Sequence, residues 1–304
     1  MLLIKLKIVN FKIKKMNIIF QINGGIGKVI ASTSVCKSIK KKYPNCKLIV
    51  VSGYPEVFLN NPNVDRAFAF GQQRYFYDEY VNNKEILVFA HDPYLETKHL
   101  NLEEHLVETW CRIFDLPFIQ KEGEFFLTKR EVDFFSNKFN SDKPIFILQT
   151  NGGGDANVKY SWARDIPSNI VKEVIANFKE EYNMVHIRKD DQIQYEDTFG
   201  VQDDFRSLLV LISISKKRLL MDSFGQHASA CLNLPSVVLW VCNSPKVFGY
   251  DLHTNIICNT ETKVPDLRDS YLSKYNIGGN LNEFPFNDEK EIFNIDEIIQ
   301  AFKK

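Results

Sequence analysis

Short apolar runs alternate along this 304-residue chain with segments whose apolar residues recur every three or four positions. Runs of four to eight apolar residues bounded by turn formers read as buried strands, and the longer-period segments read as helices with one buried face. From Met16 the pattern predicts a strand over 17–22, a glycine turn over 23–27, and a helix carrying Val29, Ile30, Val35, Cys36 and Ile39 on one face, stopped by Tyr43-Pro44-Asn45. Strands over 47–51 and 66–70 follow, separated by a short helix around 56–59 and the turn Asn60-Asn61-Pro62-Asn63. A further strand over 85–89 ends at His91-Asp92-Pro93, and Leu102, Leu106, Val107, Trp110 and Ile113 mark a helix over 102–114.

A polar stretch over 137–143 then leads into Pro144, and the alternation restarts. Strands are expected at 145–149, 184–188, 218–221 and 237–241, with helices at 168–181, 204–213 and 225–232. Residues 289–304 carry an apolar stripe of Ile292, Ile295, Ile298, Ile299 and Phe302. Strands alternating with helices imply parallel sheets and right-handed crossovers, an α/β architecture. The length suits two domains, each with its own core. We place an N-terminal extension at 1–15, a first Rossmann-like domain at 16–140, a second at 141–288, and a closing helix at 289–304. Residues 1–15 alternate as an edge strand would, but they also precede a second methionine.

Composition narrows the class without deciding it. The hydrophobic, charged and aromatic fractions of 44%, 25% and 13% are those of a soluble globular protein. No apolar run reaches the length of a membrane span, and the N-terminal lysines lack the order of a secretory signal. A cytoplasmic protein is expected. Cys36, Cys46, Cys111, Cys231, Cys242 and Cys258 form no C-x-x-C pair and read as reduced core thiols. His91, His99 and His105 do not have the spacing of a helical ligand pair, so no metal site is expected.

The formal net charge is zero, yet residues 1–80 hold 13 Lys and Arg against 4 Asp and Glu. That basic half suits an acidic partner or a membrane surface. The alternative is that Lys37, Lys40, Lys41 and Lys42 solvate a helix end and favour its dipole. Nucleic acid is not an expected partner, since no recognition motif accompanies the charge.

Asn23-Gly24-Gly25-Ile26-Gly27-Lys28 leaves a strand and opens a helix, so its backbone amides can face an anion. A phosphate-binding Walker loop needs Gly at 22 and Ser or Thr at 29, where this chain has Ile22 and Val29. The dinucleotide fingerprint fails too, with Ile30 in place of the third glycine. A tight turn with close strand-helix packing would also explain these glycines.

Gly24 to Gly27, the run from Lys41 to Val50 and Asn60 to Asp65 together resemble the heptosyltransferases, glycosyltransferase family 9. Asn151 to Gly154, Lys159-Tyr160-Ser161-Trp162, Ile166-Pro167, and Met221 to Ala230 followed by Leu234-Pro235 extend the resemblance in order through most of residues 16–245. It implies a GT-B fold, two Rossmann-like domains with parallel sheets facing across a cleft. It further implies inverting, metal-independent transfer of a sugar from a nucleotide-diphosphate-sugar, with no cofactor, to a glycan or lipid-linked acceptor.

The donor site is then expected at Asp222, Ser223 and Gly225, where a strand end starts a helix whose free amides can receive a pyrophosphate. His227 would face the same anion, and Lys159 would stabilise the departing diphosphate. Asp222 and Ser223 would equally serve as a helix cap, and Trp162 is read as packing the loop. Acceptor contacts are expected at the turn formed by Gly24, Gly25, Gly27 and Lys28.

In the family this turn usually ends in an Asp thought to be the general base, and here Lys28 stands in its place. A protonated lysine cannot take the acceptor's proton. Either His91 or Asp92, at a strand end on the cleft side, supplies the base, or the chain is a catalytically inactive binding or structural protein on the same scaffold.

Overall fold

The computed structural model describes residues 16–152, 161–259, 286 and 288–303. Its first sheet has four parallel strands, β1 (Asn17–Ile22), β2 (Lys47–Ser52), β3 (Arg66–Ala69) and β4 (Ile86–Phe89), in the order β3-β2-β1-β4. Helix α1 (Ile26–Lys42) makes the crossover from β1 to β2. Two short helices, α2 (Thr97–Leu100) and α3 (Leu106–Ile113), and then α4 (Lys129–Lys138) carry the chain to the second sheet.

That sheet has six parallel strands: β5 (Ile145–Leu148), β6 (Asn183–Ile187), β7 (Phe199–Val201), β8 (Lys217–Met221), β9 (Val237–Trp240) and β10 (Thr254–Ile257). Their order is β10-β9-β8-β5-β6-β7, so the direction of winding reverses between β5 and β8. Its helices are α5 (Ser168–Phe178), α6 (Phe205–Ile214), α7 (Phe224–Cys231), α8 (Pro245–Phe248) and α9 (Ile295–Lys303). Ligands of open α/β sheets bind beyond the carboxyl ends of strands at such a reversal. Two Rossmann-like halves thus present parallel sheets as a GT-B architecture does.

The cores are not divided as the sheets are. One apolar cluster runs from Ile18, Phe20 and Val50 of the first sheet through Val29, Val35 and Trp110 to Ile147, Leu211 and Trp240 of the second. Helices α1 and α7 pack against each other at the join. The two halves thus share this cluster across their join. A second cluster covers the other face of the six-stranded sheet, where Ile298, Ile299 and Phe302 of α9 pack with Phe146 and Val174.

Three elements differ from the sequence reading for local reasons. The helix expected from residue 102 starts at Leu106, because His105 caps it: its Nδ1 accepts the Val107 amide and Glu108 accepts the His105 amide. Strand β7 is three residues with Gly200 at its centre, too short to show an apolar run. Helix α4 has no buried residue, so its pattern is weak, and a Thr128–Glu131 capping box fixes its start.

Lysines at the end of α1 meet local acids: Lys37 pairs with Glu124, Lys40 with Asp65 and Lys42 with Asp115. Lys40 also donates to the Cys46 carbonyl. These contacts favour the helix-end reading of the basic run over a dedicated acidic partner. Five of the six cysteines are buried.

Candidate active site

A cavity of about 680 Å³ opens between the halves, at the carboxyl ends of strands from both sheets. From the first half come Ile26, which opens α1, and Tyr54 and Glu56 after β2. The second half supplies Gln149, Asn151 and Gly152 after β5, the loop from Ile187 to Gln192 after β6, Val201 to Asp203 after β7, Phe205 and Leu208 of α6, and Ser223 and Phe224 at the start of α7. Ile26, Ile187, Val201, Phe205, Leu208 and Phe224 give it an apolar wall, and Glu56, Asp190, Asp191 and Asp203 give it a carboxylate rim.

The loop after β6 is held from within. Arg188 donates through Nη1 to the carbonyls of Lys189, Asp190 and Gln192, and through Nε to Gln194 Oε1 at 2.7 Å. A guanidinium forked among carbonyls fixes a loop that has no secondary structure of its own.

At the floor, Ser223 is the N-cap residue of α7 but its hydroxyl makes no capping bond. Gln149 does that work instead: its Oε1 accepts the Gly225 amide at 3.0 Å and its Nε2 donates to Ser223 Oγ at 3.2 Å. A Cβ on Gly225 would stand 2.3 Å from Gln149 Oε1, which is why the position is glycine. Asp222 is buried beside this turn. Its Oδ2 accepts from Asn243 Nδ2, and its carbonyl accepts Arg164 Nε at 2.7 Å. Arg164 in turn lies against Gly152, whose added Cβ would meet the guanidinium at 3.2 Å.

The sequence-predicted residues separate into three groups. Ser223 lines the cavity, Gly225 lies at its floor and Asp222 lies behind it. His227 points elsewhere. It is 4% exposed, its Nδ1 bonds Tyr250 Oη at 2.8 Å, and its Nε2 faces Gln226 Nε2 at 3.0 Å. At the fourth position of α7 its ring enters the join with α1, where Gly27 makes room for it, and not the cavity. Burial lowers its pKa to about 3, so it is a neutral packing group. Lys159 lies outside the described residues.

On the first half, Gly24 adopts a φ of +104°, the turn that a side chain would strain, and Gly25 is the N-cap of α1. Lys28 does not face the cavity. Its ammonium is buried, 2.6 Å from Asp92 Oδ1 and 4.1 Å from the centre of the Tyr94 ring. Burial lowers its pKa and the Asp92 carboxylate raises it. Asp92 Oδ1 also accepts the Tyr94 amide at 3.0 Å, and the Asp92 side chain keeps 35% exposure. His91 is exposed and does not line the cavity.

The sequence reading did not find Gln149, Arg164, Asn243 or the carboxylate rim. Gln149 alone carried a signal, its place directly after a strand pointing into the cleft. Among the described residues no group of three or more His, Cys, Asp or Glu is arranged to hold a metal ion. No helix among them is long and apolar enough to cross a membrane.

Neither a family model nor a curated protein matches the chain. Solved structures do match. A glycosyltransferase of family 9 from Veillonella parvula superposes with a TM-score of 0.66 at 13% identity, over 96% of this chain and 97% of its own. The ADP-heptose lipopolysaccharide heptosyltransferase II of E. coli gives 0.62 at 14% identity, over 95% and 97%. The chain has the GT-B fold of the heptosyltransferases. E. coli heptosyltransferase WaaC, solved with ADP, gives 0.58 at 10% identity over 95% and 99%. The agreement extends over both halves of each protein, so the cavity lies in the cleft of a two-sheet fold shared from end to end.

Proposed function

We propose that this chain is a glycosyltransferase that takes a sugar from a nucleotide-diphosphate-sugar and passes it, with inversion and without a metal, to a glycan or lipid-linked acceptor. The observation that carries the reading is the cavity itself, at whose floor the amino ends of α1 and α7 meet beside Ile26, Ser223 and Phe224. Two helix amino ends directed at one space favour an anion such as a diphosphate. The apolar wall from Ile187 to Leu208 suits a nucleoside base, and the carboxylates at its rim suit ribose hydroxyls. WaaC, with the same fold, was solved with ADP.

In this reading Asp222, Ser223 and Gly225 shape the diphosphate site, and Lys159 stabilises the leaving diphosphate. The turn from Gly24 to Lys28 faces the acceptor, and the base comes from the His91-Asp92 turn. The setting is cytoplasmic, with the acceptor met at a membrane surface. Calorimetric titration with ADP-heptose, GDP-mannose and UDP-glucose tests the donor site, and mass spectrometry of products tests transfer. Failure of all three nucleotide-sugars to bind would overturn the reading.

A second reading, a nucleotide-sugar binder without turnover, is favoured by one observation: the family's base position holds Lys28, already paired. It predicts binding in the first experiment and no product in the second.

A further inference from the structure

Two carboxylates of the first half stand at strand ends on the cleft side, Glu56 after β2 and Asp92 after β4. They differ in how they are held. Glu56 lies on the short helix that packs against α6, beside the apolar wall suited to a base. Asp92 is fixed by two donors on one oxygen, the Lys28 ammonium and the Tyr94 amide. Tyr94 stacks on His99, with ring centres 5.3 Å apart and planes 4° from parallel, and closes over the ammonium.

Position also separates the two acids. Gly152 lines the cavity and touches Arg164, and Arg164 binds Asp222. Neither Lys28 nor Asp92 lines the cavity, but Ile26, two residues before Lys28 at the amino end of α1, does. The Lys28–Asp92 pair thus stands beside that helix end and not at the nucleoside wall, on the side toward which a sugar carried on the diphosphate would extend.

Resting on the transferase reading above, we infer that Asp92 is the general base of transfer and that Lys28 is its positioning residue, an ion pair in which acid and cation have exchanged the places a carboxylate at position 28 would define. The acceptor hydroxyl gives its proton to the free oxygen of Asp92, and its oxygen forms a bond to the anomeric carbon from the face opposite the diphosphate. The bond from that carbon to the diphosphate oxygen breaks, and its electron pair leaves with the nucleoside diphosphate. Lys28 keeps its proton throughout. Held on one oxygen, the carboxylate has only the other to offer, so its direction is set before the acceptor arrives.

The test uses the full chain, with ADP-heptose, GDP-mannose and UDP-glucose as donors and release of nucleoside diphosphate as the readout, water or an offered glycan serving as acceptor. Asp92→Asn is expected to lower kcat by about 10²- to 10⁴-fold while donor affinity by calorimetry stays that of wild type. Because that change leaves a buried ammonium unpaired, the double variant Lys28→Met/Asp92→Asn, which removes both charges, is the folded control and should be equally slow. Lys28→Met alone should lower kcat about tenfold with donor affinity unchanged, and Lys28→Arg should restore much of the rate, since a cation at that place fixes the direction of the carboxylate. His91→Ala tests the other side chain of that turn and should slow transfer far less than Asp92→Asn does.

Wild-type rates in the double variant, or an unchanged kcat in Lys28→Met, would overturn the assignment. So would loss of rate on His91→Ala with Asp92→Asn still active. A wild-type chain that binds a donor yet never releases nucleoside diphosphate overturns this inference and leaves donor binding standing. A chain that binds none of the three donors overturns the transferase reading beneath it.

Discussion

Gly27 of α1 lies directly against the imidazole of His227 of α7, so close that a Cβ there would sit 2.8 Å from His227 Cδ2. The ring has nowhere to retreat, being buried and bonded to Tyr250. Gly27→Ala is expected to destabilise the chain by roughly 1–3 kcal/mol, the usual cost of overpacking. Combining it with His227→Ala should cost less than the sum of the single changes, because the pair share one space. Denaturant unfolding of the four proteins checks this, and strict additivity would refute the contact.

The same join sets a pH dependence. His99, His105, His227 and His253 are buried, and burial lowers their pKa values to about 4, 3, 3 and 4. Cations add to the effect, Lys28 at His99, Lys121 at His105, Arg164 at His227 and Arg218 at His253, while Asp92 and Glu104 oppose it at His99. Each folded value lies below the ordinary one, so the unfolded chain takes up protons first as the pH falls. Stability from these groups is complete above about pH 6.5 and declines toward pH 3–4, on the order of 1 kcal/mol per histidine per unit. Melting temperatures should therefore hold level from pH 7.5 to about 6.5 and fall from there to pH 5, and a flat profile across that lower range would contradict the neutral cluster.

At the cavity floor, Gly225→Ala should drive Gln149 from the amino end of α7. With one amide contact displaced, nucleotide-sugar affinity is expected to drop by about tenfold, close to the worth of one hydrogen bond. Calorimetry on Gly225→Ala and on Gly225→Ala/Gln149→Ala separates a steric cause, relieved in the double variant, from loss of Gln149 itself.

Between the halves, Arg206 of α6 is buried and its Nη2 stands 2.7 Å from Glu131 of α4. Glu131→Ala removes the acid of that pair and should cost roughly 3 kcal/mol, since the buried guanidinium keeps only the Phe126 carbonyl and α4 loses its capping box. Arg206→Met/Glu131→Ala should recover the part owed to the charge. Equal destabilisation by the single and double variants would show that the charge is not what matters.

Much of the backbone was legible because the chemistry of its strands is continuous. β1 was read to the residue, and β2, β5, β8 and β9 to within one, since each carries an apolar run with Gly, Pro, Asn or Asp within three residues of one end. β10 escaped, beginning with Thr254 and Asn255 and offering no such run. Of the site, the strand-end turns at Gly24 and Asp222 were visible, because turn residues announce a local backbone need. Lys28 could be seen to break the family pattern, yet its partner lies 64 residues away and nothing in either segment names the other. His227 was misplaced for a related reason. Helical position fixes the direction of a side chain only once the neighbour of that face is known, and that neighbour is α1.

The rings gathered between α1, α3, α7 and α8, with His105, His227 and His253 around Tyr250, and Tyr94 and His99 against Phe248, are all uncharged. The rings themselves offer dissolved ions no charge to screen. Added salt should act on exposed pairs such as Lys138–Asp203, which spans the halves, and Lys179–Asp197, and leave the packing of these rings indifferent to ionic strength.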